Sequence, residues 1–175
     1  MLDMALDARD QADDAVRSLL TARAQEAQRL ASWILQDPAA AEDAVQEAAL
    51  LAWDLRRSLR NLETADAWFN RILVNVCRQE LRRRARRPAV TEIEPIADGG
   101  HGRVPVRDEL TRAISRLTAD EQIVVAFRFG RDLTIAQIAS EVGMAEGTVK
   151  SRLHYALEHL RAALEADRRV EEMLR

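Results

Sequence analysis

The chain has 175 residues and a formal net charge of −3; apolar residues, mostly Ala and Leu, make up 47% and aromatics only 4%. That balance fits an all-helical protein with narrow cores, in one domain or two small ones. A single cysteine excludes a disulfide framework and a cysteine-based metal cluster, and no apolar run approaches the ~18 residues of a membrane span.

No secretory signal is visible, so a cytoplasmic location is expected. The small net charge hides strong polarity along the chain. Residues 1–54 hold 11 acids and 4 bases, whereas residues 71–87 hold 7 Arg and 1 Glu. Such a chain can meet DNA with one surface and a cationic partner with another. Lys150 is the one lysine among 26 basic residues, and the remaining arginines favour bidentate phosphate and carboxylate partners.

In chain order, Met1 to Asp14 is acidic, lacks a firm pattern and is expected to fray. Val16, Leu19, Leu20, Leu30, Ile34 and Leu35 predict an amphipathic helix over 15–35. Asp37-Pro38 ends it, and Pro38 suits the first turn of the next helix, over 39–57. Ala44, Val45, Ala48, Leu51, Ala52 and Leu55 form the expected buried side of that helix. Glu42, Asp43, Gln46 and Glu47 form an acidic ridge opposite, from two i,i+4 pairs. Adjacent like charges destabilise a helix, which hints at a cationic partner; a merely solvated face is the alternative.

Arg56 to Asp66 reads as a polar loop with Leu59 and Leu62 as anchors. A third helix follows, to about residue 87, with Trp68, Phe69, Ile72, Leu73, Val76 and Leu81 as its buried stripe. Trp68 is expected in the core rather than as a base-stacking platform, and Cys77 as a small buried hydrophobe. Arg71, Asn75, Arg78 and Arg82 fall at i, i+4, i+7 and i+11, one polar stripe suited to a phosphate backbone. Residues 86–107, rich in Pro and Gly with Glu92, Glu94 and Asp98, form a flexible acidic linker that reaches ~70 Å when extended.

Helices are then predicted over 106–117 and 119–129, with Thr118 or Asp120 capping the second. Thr134 can cap a short helix whose apolar face is Ile135, Ile138, Ala139 and Val142, and Gly143 supplies the left-handed turn. The following helix has Val149, Leu153, Ala156, Leu157 and Leu160 inside. Its outer face carries Thr148, Lys150, Ser151, Arg152, His154 and Tyr155, all able to donate to phosphates or base edges. A short helix, a glycine turn and a longer helix make the helix-turn-helix pattern. A plain helical hairpin with a solvated basic face is the alternative reading.

From Glu121 onward the chain resembles the C-terminal domain of bacterial sigma factors of the extracytoplasmic-function (ECF) group, with GTVKSRL at Gly147 to Leu153 as the most specific part. AEDAVQEAALLAW at Ala41 to Trp53 resembles the segment with which sigma factors grip the clamp helices of the polymerase large subunit. By position, Asp43, Gln46 and Glu47 match its polar residues, while Ala44 stands where Leu is common. WFNRILVNVCRQELRRR is similar to the minus-ten recognition helix of the family, with Val74 where Arg often stands and Gln79 in place of a usual Asp. The polar loop in similar proteins holds a flipped minus-ten base, which makes Arg60, Asn61 and Thr64 the candidates here.

The resemblance therefore implies two small helical domains joined by a flexible linker. Residues 1–87 would be a region 2-like unit that binds core RNA polymerase and the minus-ten element, and 88–106 the linker. Residues 107–175 would be a region 4-like helix-turn-helix unit that reads the minus-thirty-five element. The implied function is that of a sigma factor, an adaptor without a cofactor, a metal or membrane insertion of its own. Core RNA polymerase and promoter DNA are its implied partners, and an anti-sigma protein its implied inhibitor. A stand-alone helix-turn-helix regulator would leave the acidic ridge without a partner. An enzyme is disfavoured: His154 and His159 are five residues apart, poor spacing for two ligands on one helix face, and no carboxylate cluster or Gly-rich phosphate loop accompanies them.

Overall fold

No proline or glycine interrupts the chain between Met1 and Pro38, and a single long helix results, α1 (Leu2–Leu35). The acidic start expected to fray is therefore part of α1. Val16 is fully buried, and an Asp13–Arg56 ion pair fastens this part of the helix to the turn after the next one. The computed structural model describes residues 2–59, 61–86 and 105–173, with side chains for 13–59, 61–86, 109–169 and 173. No strand occurs among the described residues.

Helix α2 (Pro38–Asp54) begins as the sequence suggests, with Pro38 in the first turn and Asp37 as N-cap, accepting a hydrogen bond from the Ala40 N–H at 3.1 Å. It ends earlier than expected, and Arg56–Ser58 form a separate 3₁₀ turn. Its buried side is an alanine stripe, Ala41, Ala44, Ala48 and Ala52. These small residues leave only a narrow seam, so Leu51 and Leu55, expected inside, lie exposed beside it.

Helix α3 (Ala65–Arg86) buries Phe69, Leu73, Val74, Val76, Cys77 and Leu81. Trp68 and Ile72 pack only at the margin of the core, and the Trp68 indole N–H donates to Ser58 Oγ at 3.3 Å. Arg84 of α3 clips the α1–α2 corner by donating to Asp37, the Leu35 carbonyl and Glu80. Partial burial pushes the Glu80 carboxyl up, but the Arg84 and Arg83 guanidiniums outweigh it and hold Glu80 below its usual value.

The expected linker over 88–106 lies outside the described residues except for its last two, which open α4 (Pro105–Ser115). Helix α5 (Ala119–Val125) starts at a capping box: Glu121 N–H bonds to Thr118 Oγ while the Glu121 carboxylate accepts the Thr118 N–H. The helix expected to run to Phe129 instead loosens into a π turn, Ala126–Gly130. Helix α6 (Ile135–Val142) has a second capping box, Thr134 with Gln137, and stops at Gly143 in the left-handed region, φ 67°. Helix α7 (Glu146–Met173) completes the chain's described part; Val149 and Ala156 are buried, whereas Leu157, expected inside, is exposed.

The two helical blocks do not lie apart. Ile123, Val124, Ala126 and Phe127 join Leu30, Ile34, Phe69 and Leu73 in one continuous apolar cluster, through which α1 and α3 pack against α5, the π turn and α6. A smaller cluster of Leu117, Val125 and Ala156 holds α5 to α7.

Candidate functional site

Three surfaces carry the candidate residues. The first is the outer face of α2. Asp43, Gln46 and Glu47 are all exposed, and the ridge makes one weak internal bond, from Gln46 to Glu42 at 3.5 Å. Asp43 and Glu47 have no ion-pair partner among the described residues. Leu50 falls at i+7 from Asp43 and i+3 from Glu47, on the same face, and is 69% exposed. Sequence periodicity did not single it out, because an alanine-rich helix hides which of its leucines face outward.

The second surface is the loop and the polar stripe of α3. Asn61 caps a 3₁₀ turn, Leu62–Thr64, by accepting the Glu63 N–H at 2.9 Å, and Thr64 Oγ donates to the Asn61 carbonyl at 3.0 Å. Both side chains are exposed on this built loop; Arg60 lies outside the described residues. Val74 is completely buried, so the position where Arg often stands in the similar sequences presents nothing outward here.

Arg71, Asn75, Arg78 and Arg82 share one face of α3, as expected, but that face borders an open cleft of about 540 Å³ lined on its other side by Asp120, Val142, Gly143 and Met144. Arg71 donates to the Ser140 carbonyl at 3.0 and 3.2 Å, at the C-terminal end of α6, where a cation suits the helix dipole. Arg78 Nε donates to Asp120 Oδ1 at 2.8 Å and its other arm to Asn75 at 2.6 Å. Arg82 remains exposed at the rim.

The third surface is the first half of α7. Thr148, Lys150, Ser151, His154 and Tyr155 are exposed along it. Ser151 Oγ donates back to the Gly147 carbonyl at 2.9 Å, and the His154 and Tyr155 rings lie 5.6 Å apart. Arg152 differs from its neighbours: it is half-buried and its guanidinium reaches Asp120 Oδ2 at 2.6 Å. Sequence reasoning weighed Asp120 only as a helix cap. Its pairing with two arginines distant in sequence has no local signal.

No group of His, Cys, Asp and Glu among the described residues could hold a metal ion. No described helix is long and apolar enough to cross a membrane.

Two family profiles match the chain: sigma-70 region 2 over residues 8–87 and sigma-70 region 4 over 113–162. Over 160 residues the chain is 33% identical to the ECF RNA polymerase sigma factor SigL of Mycobacterium tuberculosis, spanning 86% of this chain and 89% of that protein. Among solved structures, CnrH in complex with the cytosolic domain of CnrY shares the fold at a TM-score of 0.60, with 22% identity, 90% of this chain covered and 95% of that one. The sigma factor RpoE of Bartonella quintana, solved with the anti-sigma factor NepR, shares it at 0.57, with 23% identity, 92% and 98% covered.

Proposed function

This chain belongs to the ECF group of bacterial RNA polymerase sigma factors, and from that premise we propose how its three surfaces divide the work of directing core polymerase to a promoter. The region 2-like unit is 1–87, the linker 88–106 and the region 4-like unit 107–175. The α2 ridge, Asp43, Gln46 and Glu47, is the surface that docks on core polymerase. The observation that carries this assignment is the exposed pair Asp43 and Glu47, four residues apart with no cation to neutralise them within the described molecule. Two like charges at that spacing destabilise the free helix and are relieved when a basic surface covers them.

Arg60, Asn61 and Thr64 hold a base of the minus-ten element, while Arg71, Asn75, Arg78 and Arg82 follow its backbone. Thr148, Lys150, Ser151, Arg152, His154 and Tyr155 read the minus-thirty-five element from α7, entering the major groove by its N-terminal turns. The protein contributes positioning and no bond-breaking chemistry, works in the cytoplasm, and is held in check by an anti-sigma protein. Run-off transcription with purified core enzyme on the promoter of the protein's own operon tests the reading. Specific transcripts that need both the protein and core enzyme are expected. Tight occupation of that DNA by the protein alone, with no transcript on adding core, would favour a stand-alone regulator instead.

A further inference from the structure

Arg78 and Arg152 lie 74 residues apart in sequence, on the two surfaces assigned above to different promoter elements. One carboxylate holds both. Asp120, in the first turn of α5, gives Oδ1 to Arg78 Nε at 2.8 Å and Oδ2 to an Arg152 terminal nitrogen at 2.6 Å. The Asp120 side chain is 14% exposed, and those of Arg78 and Arg152 are 15% and 35% exposed. Further contacts join the two blocks elsewhere: Arg71 to the Ser140 carbonyl, Asn70 to Glu141 at 2.5 Å, and Arg131 to Glu26.

We propose that Asp120 is an internal latch: it stands in for DNA phosphate at one arginine of each promoter-reading surface and so, together with the apolar cluster the two blocks share, keeps the unbound protein closed. The proposal rests on the assignment of those surfaces to DNA. A carboxylate and a phosphate make the same charge-assisted bonds to a guanidinium, so each can displace the other. In the closed form Arg71, Asn75, Arg78 and Arg82 border a cleft whose other wall, Asp120, Val142, Gly143 and Met144, belongs to the second block. Arg71, Arg78 and Arg152 are all committed to acceptors within the protein.

A second feature fits a contact built to release. Arg152 Nε is buried without a hydrogen-bond partner, and so is an Arg131 terminal nitrogen at the Glu26 contact. Each orphaned donor weakens the closed arrangement relative to one in which water or phosphate reaches it. Free arginines on both surfaces would otherwise draw DNA indiscriminately, since they bind duplex phosphate without regard to sequence. The latch withholds those arginines until the block that carries Asp120 swings away.

The test compares the full chain with Asp120→Asn, which keeps the shape and removes the charge. Two quantities are read: the radius of gyration by small-angle X-ray scattering, and the salt dependence of binding to a random-sequence DNA duplex. The latch requires the variant to be larger than the parent at low salt. It also requires its plot of log affinity against log salt to be steeper by about 1.8, two freed arginines at about 0.9 each. An unchanged radius or an unchanged slope overturns the latch. If Asp120→Asn does not fold by circular dichroism, Asp120→Ser, a residue suited to a helix first turn, replaces it in the same two measurements. Neither measurement involves polymerase, so core-dependent transcription still judges the sigma-factor reading separately.

Discussion

Trp33, near the end of α1, lies against Gly130 at the close of the π turn: a Cβ at position 130 would come within 3.1 Å of the indole Cδ2. The two residues are 97 apart in sequence, and their contact joins the first helical block to the second. Gly130 is what allows the indole to sit there, because any side chain must push it outward.

Gly130→Val is therefore expected to displace Trp33, which is already 46% exposed, further into water. Tryptophan emission should shift to the red, and the shift should vanish in a Trp33→Phe background. Equal shifts in both backgrounds would show that Trp53 or Trp68 had moved instead.

Asp43→Arg with Glu47→Arg should abolish binding to core polymerase and leave the fold intact, because both side chains are exposed and unpaired among the described residues. Leu50→Glu, on the same face, should weaken binding by about 1.5–3 kcal/mol, the usual scale for fully covering an apolar side chain. Pull-down with purified core enzyme checks all three positions, with circular dichroism as the control. Retained binding by the double variant would remove the ridge from the interface.

Lys150→Ala with Ser151→Ala should weaken recognition of the upstream promoter element. Lys150 is exposed and Ser151, among the described residues, bonds only to its own helix, so the helix should persist. Loss of one phosphate contact lowers the salt slope of the polymerase holoenzyme by about 0.9. Footprinting of the holoenzyme reads the element directly; an upstream footprint as strong as the parent's would move the contact elsewhere on α7.

Burial, the dominant cause, pushes the Cys77 thiol up to about 12 from an ordinary 9.0. The folded state then holds a proton that the unfolded chain gives up. Stability from this group is intact below pH 9 and falls as pH rises above it, by about 1.4 kcal/mol at pH 10. Urea unfolding at pH 8 and pH 10, compared with Cys77→Ala, isolates the effect. In the folded protein at pH 8, iodoacetamide should leave Cys77 unmodified, and prompt alkylation would show that the core opens around it.

Much of this molecule is legible in local sequence. Thr134, Gln137 and Gly143 bracket α6 as cap, capping-box partner and left-handed stop, because each acts through backbone groups within four residues of itself. The periodicity of Phe69, Leu73, Val76 and Leu81 likewise marks the inner face of α3, and the Arg71 to Arg82 stripe its polar face. The sigma-factor reading follows from segments of this kind, met in the expected order along the chain.

Periodicity misjudged Leu51, Leu55 and Leu157, because it reports that a face is apolar without reporting how wide the covering neighbour is. Four alanines fill the seam between α2 and the helices beneath it, and Val45 and Ala40 pack only at its margin, so the leucines further round the helix stay outside. The meeting of Arg78 and Arg152 on Asp120 is still further from local signal. It depends on how two blocks, separated in sequence by the 88–106 segment, come to share one apolar cluster, and only long-range packing decides that.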